Sequence, residues 1–188
     1  FSDAVTAKLR AASRVSVTNV VEAFDGTVAG LDVDGLTKLA NDLASVVKVL
    51  RGEAVLARHL ADPSGNSAPK VALAERVLSG KISDAALDVV RSAVSQRWSS
   101  TSDLLHGIQH AARLALLVRA EREGQIEDVE DQLFRFSRIL DSEPRLITLL
   151  SEYTAPLDGR ITLVTNVLHG KASKTAADLL RQTIELLH

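Results

Sequence analysis

The sequence predicts an all-α protein built from two copies of one helical unit. Three observations carry that expectation. First, GKISDAALDVVR at Gly80–Arg91 returns as GKASKTAADLLR at Gly170–Arg181. Gly, Lys, Ser, Ala, Asp and Arg are identical at six matched positions, from Gly80/Gly170 to Arg91/Arg181. The same offset pairs Leu43 with Leu133, Leu50 with Leu140, Glu53 with Glu143, Leu60 with Leu150 and Lys70 with Arg160. Before about Leu39 the match fades. A chain that repeats itself at a fixed spacing is read as units first. Second, apolar residues recur at helical spacing, and no segment alternates long enough for a strand. Third, Leu, Val and Ala supply the apolar content, against one Trp, one Tyr and four Phe. That palette suits helix-on-helix packing.

Each element follows from its own residues. Ser2–Phe24 carries a loose stripe of Val5, Leu9, Ala12, Val15, Val20 and Phe24, which predicts a helix. Asp25–Asp34 holds Asp25-Gly26, Gly30 and Asp34-Gly35 and reads as a loop, with Asp32 or Asp34 capping the next helix. Leu36–Leu50 has the clearest period, through Leu39, Ala40, Leu43 and Val46 or Val47. A short helix at Glu53–Leu60 leads to the loop ADPSGNSAP. Val71–Leu78 is closed by Gly80, a left-handed C-cap. Ser83 then caps a helix over Asp84–Trp98, with Leu87, Val90, Val94 and Trp98 on one face. Thr101, Ser102 and Asp103 offer a cap for a long helix, Asp103–Glu123, ended by Gly124-Gln125. The second copy gives helices over Glu127–Leu140, from Pro144 to Leu150, Arg160–Leu168 and Ser173–Leu187, with a loop at Pro156-Leu157-Asp158-Gly159.

Composition narrows the function classes. The 22 basic and 24 acidic residues nearly cancel, so no electrostatic footprint for nucleic acid is present. Without cysteine there are no disulfides or thiolate metal sites, and the chain suits a reducing compartment. The longest apolar run, Ala111–Ala120, is broken by Arg113 and Arg119 and falls short of a span. An opening on Phe1 and an ending inside TIELLH raise the expectation of a piece of a longer chain.

Motifs that resemble chemistry have plainer readings. Gly80-Lys81 and Gly170-Lys171 lack the earlier glycine and the following hydroxyl of a phosphate loop, and no strand precedes either. They read as helix punctuation. His106 and His110 share a helix face but lack the intervening Glu and a third ligand of a zinc site, so they read as partly exposed histidines. Glu127, Asp128, Glu130 and Asp131 complement a helix N-terminus. Asp88 with Arg91, and Asp178 with Arg181, fit a solvated helix face or a partner-binding edge. No cofactor or metal is expected, and no catalytic residue is assigned.

The order Leu60-Ala61-Asp62-Pro63, Lys70, Leu78–Ser83, Ala86-Leu87, Val90 and Arg97-Trp98 resembles the N-terminal helical domain of the ATP synthase δ subunit and its mitochondrial counterpart, the oligomycin-sensitivity-conferring protein. Ala111–Leu146 is similar to the δ-type region of bacterial chains in which a duplicated δ-like part is fused behind a b-type stalk segment. The resemblance runs from about Arg10 to His188. It implies two tandem bundles of about six helices sharing one long helix. Residues 1–24 would be a junction from the b segment, 25–110 the first bundle and 103–188 the second, with 103–123 shared and the sixth helix of the second missing.

The resemblance also implies a non-catalytic stator role. Such subunits bind N-terminal helices of the α subunits and join the catalytic head to the b stalk. They do so at the cytoplasmic face of the bacterial plasma membrane, without inserting into it. A groove between first and fifth helices takes the α-subunit helix. By position it would be lined by Ala111, Leu114, Ala115 and Val118, and by Ala176, Ala177, Leu180, Thr183 and Ile184. A generic helical adaptor and a helical enzyme with dispersed residues are the competing readings.

Overall fold

The computed structural model describes residues 11–151, 157–167 and 174–185. Ten α-helices and no strand lie among the described residues, as the periodicity predicts. The chain divides into two compact units, one ending at Ala115 and the other beginning at Leu116. The boundary falls inside a single helix.

In the first unit, α1 (Ala11–Val28) packs most extensively on α5 (Asp84–Val94). Its buried face is Ser13, Ser16, Val17, Val20, Phe24 and Val28. This differs from the expected stripe: Val15 is 63% exposed and Ala12 is exposed, while Val5 and Leu9 lie outside the described residues. Two serines can face inward because each is satisfied. Ser13 Oγ donates to Asp103 Oδ2 at 2.6 Å and accepts from the Ser99 amide at 2.9 Å. Ser16 Oγ donates to the Arg97 carbonyl. The helix also runs through Asp25-Gly26, which was expected to be loop. Phe24 and Val28 sit one turn apart on the buried face, and burying a valine is worth about 1.5–3 kcal/mol against about 1 for a helical glycine.

Asp32 caps α2 (Val33–Gly52), its Oδ1 accepting from the Gly35 amide at 2.7 Å. The expected stripe is buried in full, from Leu36 through Leu50. α3 (Ala54–Ala61) follows after a one-residue break at Glu53. α4 (Ser67–Leu78) starts earlier than expected, because Asn66 caps it through the Ala68 amide. Pro69 is tolerated there, since first-turn amides have no partner within the helix. Gly80 has φ of +77°, the left-handed stop. Ser83 Oγ then accepts from the Ala86 amide at 3.3 Å, opening α5. The Ser83 amide also donates to Asp42 of α2 at 2.8 Å, which fixes where α5 begins.

The expected Asp84–Trp98 helix is shorter: α5 ends at Val94, and Trp98 lies beyond it, 1% exposed. Its Nε1 donates to the Ala93 carbonyl at 2.7 Å, a bond that holds the indole under the helix end. The ring lies against Gly107, where a Cβ would come within 2.6 Å of it. Ser100, not the three residues after it, caps α6 (Thr101–Arg122), accepting from the Asp103 amide at 3.2 Å.

The second unit takes α6 from Leu116, then α7 (Ile126–Ser142), α8 (Pro144–Ser151), α9 (Leu157–Val167) and α10 (Lys174–Glu185). Gly124, with φ of +68°, ends α6 as expected. Its amide donates to the Glu121 carbonyl and the Gln125 amide to that of Ala120, the paired bonds of a Schellman stop. Leu157-Asp158-Gly159, expected as loop, form the first turn of α9; Thr162 Oγ1 donates to the Asp158 carbonyl at 2.8 Å. Phe136, Leu150 and Ile184 form a buried cluster, with Leu140, Leu163 and Leu180 packed on it.

Matched positions adopt matched geometry. Glu53 and Glu143 each break two helices, each amide donating four residues back at 3.0 Å. Lys70 and Arg160, both over 90% buried, each donate to a carbonyl at or just past the end of the short helix: Lys70 to Asp62 at 3.2 Å, Arg160 to Leu150 at 3.1 Å. A cation there offsets the negative end of the helix dipole. Burial nonetheless holds Lys70 below the ordinary lysine range, with Asp62 opposing the shift.

Candidate partner-binding site

The nine residues expected to line a groove fall into two groups. Ala111, Ala115, Ala176 and Ile184 are buried, at 1%, 0%, 0% and 5% exposure. Leu114 and Val118 on α6 are half-buried, as are Leu180 and Thr183 on α10, and Ala177 is exposed. The chain therefore offers part of each helix face and keeps the rest within its own packing. Leu180 touches the buried cluster of its unit along one edge. Thr183 Oγ1 donates to the Leu179 carbonyl at 2.8 Å.

Comparison with α5 shows what is particular about α10. The matched residues there, Leu87, Val90 and Ala93, are 6%, 0% and 0% exposed, and α1 is the main helix packed on α5. In the second unit the corresponding Ala177, Leu180 and Thr183 remain partly open. The same sequence positions are thus core in one unit and only partly covered in the other.

What fixes α10 is Arg119, 1% exposed near the end of α6. Its Nη2 donates to Thr175 Oγ1 and to Asp178 Oδ2, both at 2.9 Å, and Nε donates to Thr175 at 3.3 Å. Glu123 stands 3.7 Å away. In the second unit Asp178 pairs with Arg119 of α6. In the first, Arg91 does bond Asp88 at 2.8 Å and also Glu75 at 2.7 Å. Glu75, with Asp88 behind it, raises the Arg91 pKa. In the sequence Arg119 stands out only as a break in an apolar run. Its isolation between Val118 and Ala120 was the available signal, since a lone cation inside an apolar stripe must find a partner.

Other chemical candidates resolve as follows. His106 is exposed but His110 is 5% exposed, not the partly exposed residue expected. The burial of that helix face decides this. Burial and then Arg113 hold its pKa below the ordinary 6.5. Among the described residues no group of three potential metal ligands comes together. Gly170 and Lys171 lie outside the described residues. A cavity of about 220 Å³ is lined by His59, Asp62, Gly65, Asn66, Pro69, Lys70 and Leu73. The Ser64 hydroxyl donates to Asp62 at 2.7 Å. Ser64, through its hydroxyl and then its amide, holds Asp62 below the usual carboxylate range. No helix among the described residues is long and apolar enough to cross a membrane.

No family model matches the chain. Curated relatives do, among them two called ATP synthase subunit b-delta, from Mycobacterium sp. strain KMS and Mycobacterium sp. strain JLS. Each is 55% identical over 187 residues, which takes in 100% of this chain and 42% of the relative. The chain thus spans less than half the length of the curated relatives it matches. Over its whole length the chain is thus similar to sequences called ATP synthase subunit b-delta.

Proposed function

We propose that the chain is a non-catalytic part of the peripheral stalk of a proton-translocating ATP synthase. It binds N-terminal helices of α subunits and links the catalytic head to the b stalk, at the cytoplasmic face of a bacterial plasma membrane. Its two units are read as tandem δ-like bundles that share α6. The work required is affinity and stiffness against rotor torque rather than chemistry.

The observation that carries the reading is the open face of α10. Ala177, Leu180 and Thr183 present small and apolar groups at helical spacing, as helix-in-groove recognition requires, with half-buried Val118 on α6 of the same unit. The small Ala177 permits close approach. Ala176 and Ile184 on α10 are buried, as are Ala111 and Ala115 on α6, where Leu114 is half-buried. The Arg119 bonds hold α10 in place without a partner, so docking carries little ordering cost.

A co-purification experiment tests the proposal. The chain should retain intact α subunit and lose it when the α N-terminal helix is deleted. Equal retention of both forms, or of neither, would contradict the proposed contact.

A further inference from the structure

The cavity of about 220 Å³ in the first unit lies between the end of α3 and the first turns of α4. Lys70, 7% exposed, lines it together with Asp62. An ammonium carries three donors. Lys70 Nζ donates to the Asp62 carbonyl at 3.2 Å, its one hydrogen bond among the described residues. The half-buried Asp62 carboxylate is engaged on one oxygen. Its Oδ1 accepts from the Ser64 amide at 2.9 Å and from the Ser64 hydroxyl at 2.7 Å. Among the described residues Oδ2 accepts from no group. Lys70 and the Asp62 carboxylate form no ion pair with each other, yet Asp62 opposes the effect of burial on Lys70, so the two charges are near enough to interact. The cavity thus brings donors without acceptors, on a buried lysine, close to an acceptor without a donor.

Size and charge select what fits. Sites for cofactors and drug-sized ligands run from about 300 to 1,000 Å³. This cavity is smaller and suits one inserted side chain. His59, Gly65, Asn66 and Pro69 on its wall are exposed, so it opens to solvent. Pro69 and the half-buried Leu73 offer apolar surface for an aliphatic stem. A carboxylate would satisfy Lys70 but meet the like charge of Asp62, and an ammonium would do the reverse. A neutral, planar head with one acceptor and one donor satisfies both, and a carboxamide is that group. The set belongs to the first unit: the positions matching His59, Asn66 and Pro69 hold Leu149, Pro156 and Gly159.

We propose that this cavity receives the carboxamide of an asparagine or glutamine side chain from a partner protein. The carboxamide oxygen accepts from Lys70 Nζ, its NH₂ donates to Asp62 Oδ2, and its stem lies along Pro69 and Leu73. Insertion supplies an acceptor to a buried cation that has one, and polar groups taken out of water gain most from such completion. The site is separate from the open face of α10, and the inference does not rest on the stator reading.

The test titrates the 13C,15N-labelled chain with propanamide, propionate, and the peptides acetyl-Ala-Gln-Ala-amide, acetyl-Ala-Glu-Ala-amide and acetyl-Ala-Ala-Ala-amide. The Lys70 side-chain signals and the amides of Gly65, Asn66 and Leu73 should shift saturably with propanamide and with the glutamine peptide. Propionate and the other two peptides should shift them at least about threefold more weakly at equal concentration. No response to any probe, or an equal response to all three peptides, overturns the proposal. A stronger response to propionate and the glutamate peptide overturns the carboxamide assignment. A response to propanamide without one to the glutamine peptide overturns the protein source in favour of a free small amide. Lys70→Met should abolish the shifts at Gly65, Asn66 and Leu73. Asp62→Asn keeps an acceptor for Ser64 and removes the charge, so it should strengthen glutamate-peptide binding by about threefold or more, a gain that loss of structure cannot imitate. Unchanged or weaker glutamate-peptide binding in Asp62→Asn would count against the role given to Asp62.

Discussion

Replacing Arg119 with methionine tests how the second unit holds α10. The substitution keeps the aliphatic stem and removes the guanidinium, which is 1% exposed. Two of its bonds reach Thr175 Oγ1, itself on a residue 1% exposed, and these are lost outright. Charge-assisted bonds of this kind contribute about 1.5–3 kcal/mol, and the stranded threonine hydroxyl adds to the loss. Asp178 is 34% exposed, so water can take over its carboxylate and its share is at most about 1 kcal/mol. Methionine recovers part of the apolar contact. The expected net loss is about 2–3 kcal/mol. It should be confined to the second unit. Hydrogen exchange resolved by segment reads it: α10 and the end of α6 should lose protection, while α1 and α5 keep theirs. A Thr175→Val partner completes a double-mutant cycle, with an expected coupling of about 1 kcal/mol or more. Additive effects, or equal loss of protection in both units, would refute the assigned role of Arg119.

Three further substitutions probe the first unit. Gly107→Ala gains about 1 kcal/mol of helix propensity but drives a methyl into the fixed Trp98 ring, at a cost of about 1–3 kcal/mol. The chain should be less stable in urea, with altered Trp98 emission; greater stability would show that the ring yields. Ser83→Ala should cost about 1 kcal/mol by removing the cap of α5, measured by the same denaturation, and a loss near zero would mean that the Ser83 amide bond to Asp42 alone sets the helix start. His110 has a folded pKa below its ordinary 6.5, so the unfolded chain takes up the proton first. Stability should therefore fall as pH drops below about 6.5 and level off once the folded pKa is passed. His110→Gln should flatten that limb, and an unchanged slope would assign the pH dependence to other groups.

Local signals were legible in the sequence. Gly80 and Ser83 act as stop and start because cap chemistry depends on a few adjacent residues. Leu36–Leu50 was legible because one stripe of a regular helix meets one core. Contacts distant in the chain were not. The inward turn of Ser13 depends on Asp103, and the burial of Arg119 depends on Thr175 and Asp178. Neither pairing leaves a periodic trace. The end of α5 was misplaced because Trp98 is buried by folding back to Ala93, which spacing alone reads as continued helix. For the candidate site, the sequence identified α6 and α10 but could not divide buried Ala176 and Ile184 from open Ala177, Leu180 and Thr183. That division depends on which neighbours cover each face, and α5, the repeat counterpart of α10, is covered by α1.

The open face of α10 is the centre of the functional proposal, and an NMR titration of the 15N-labelled chain with a synthetic α-subunit N-terminal helix addresses it directly. The expected result is saturable shifts concentrated at Val118, Ala177, Leu180 and Thr183, with the matched Leu87, Val90 and Ala93 unmoved. Shifts at α5 in place of α10, or no shifts at high micromolar peptide, would contradict it.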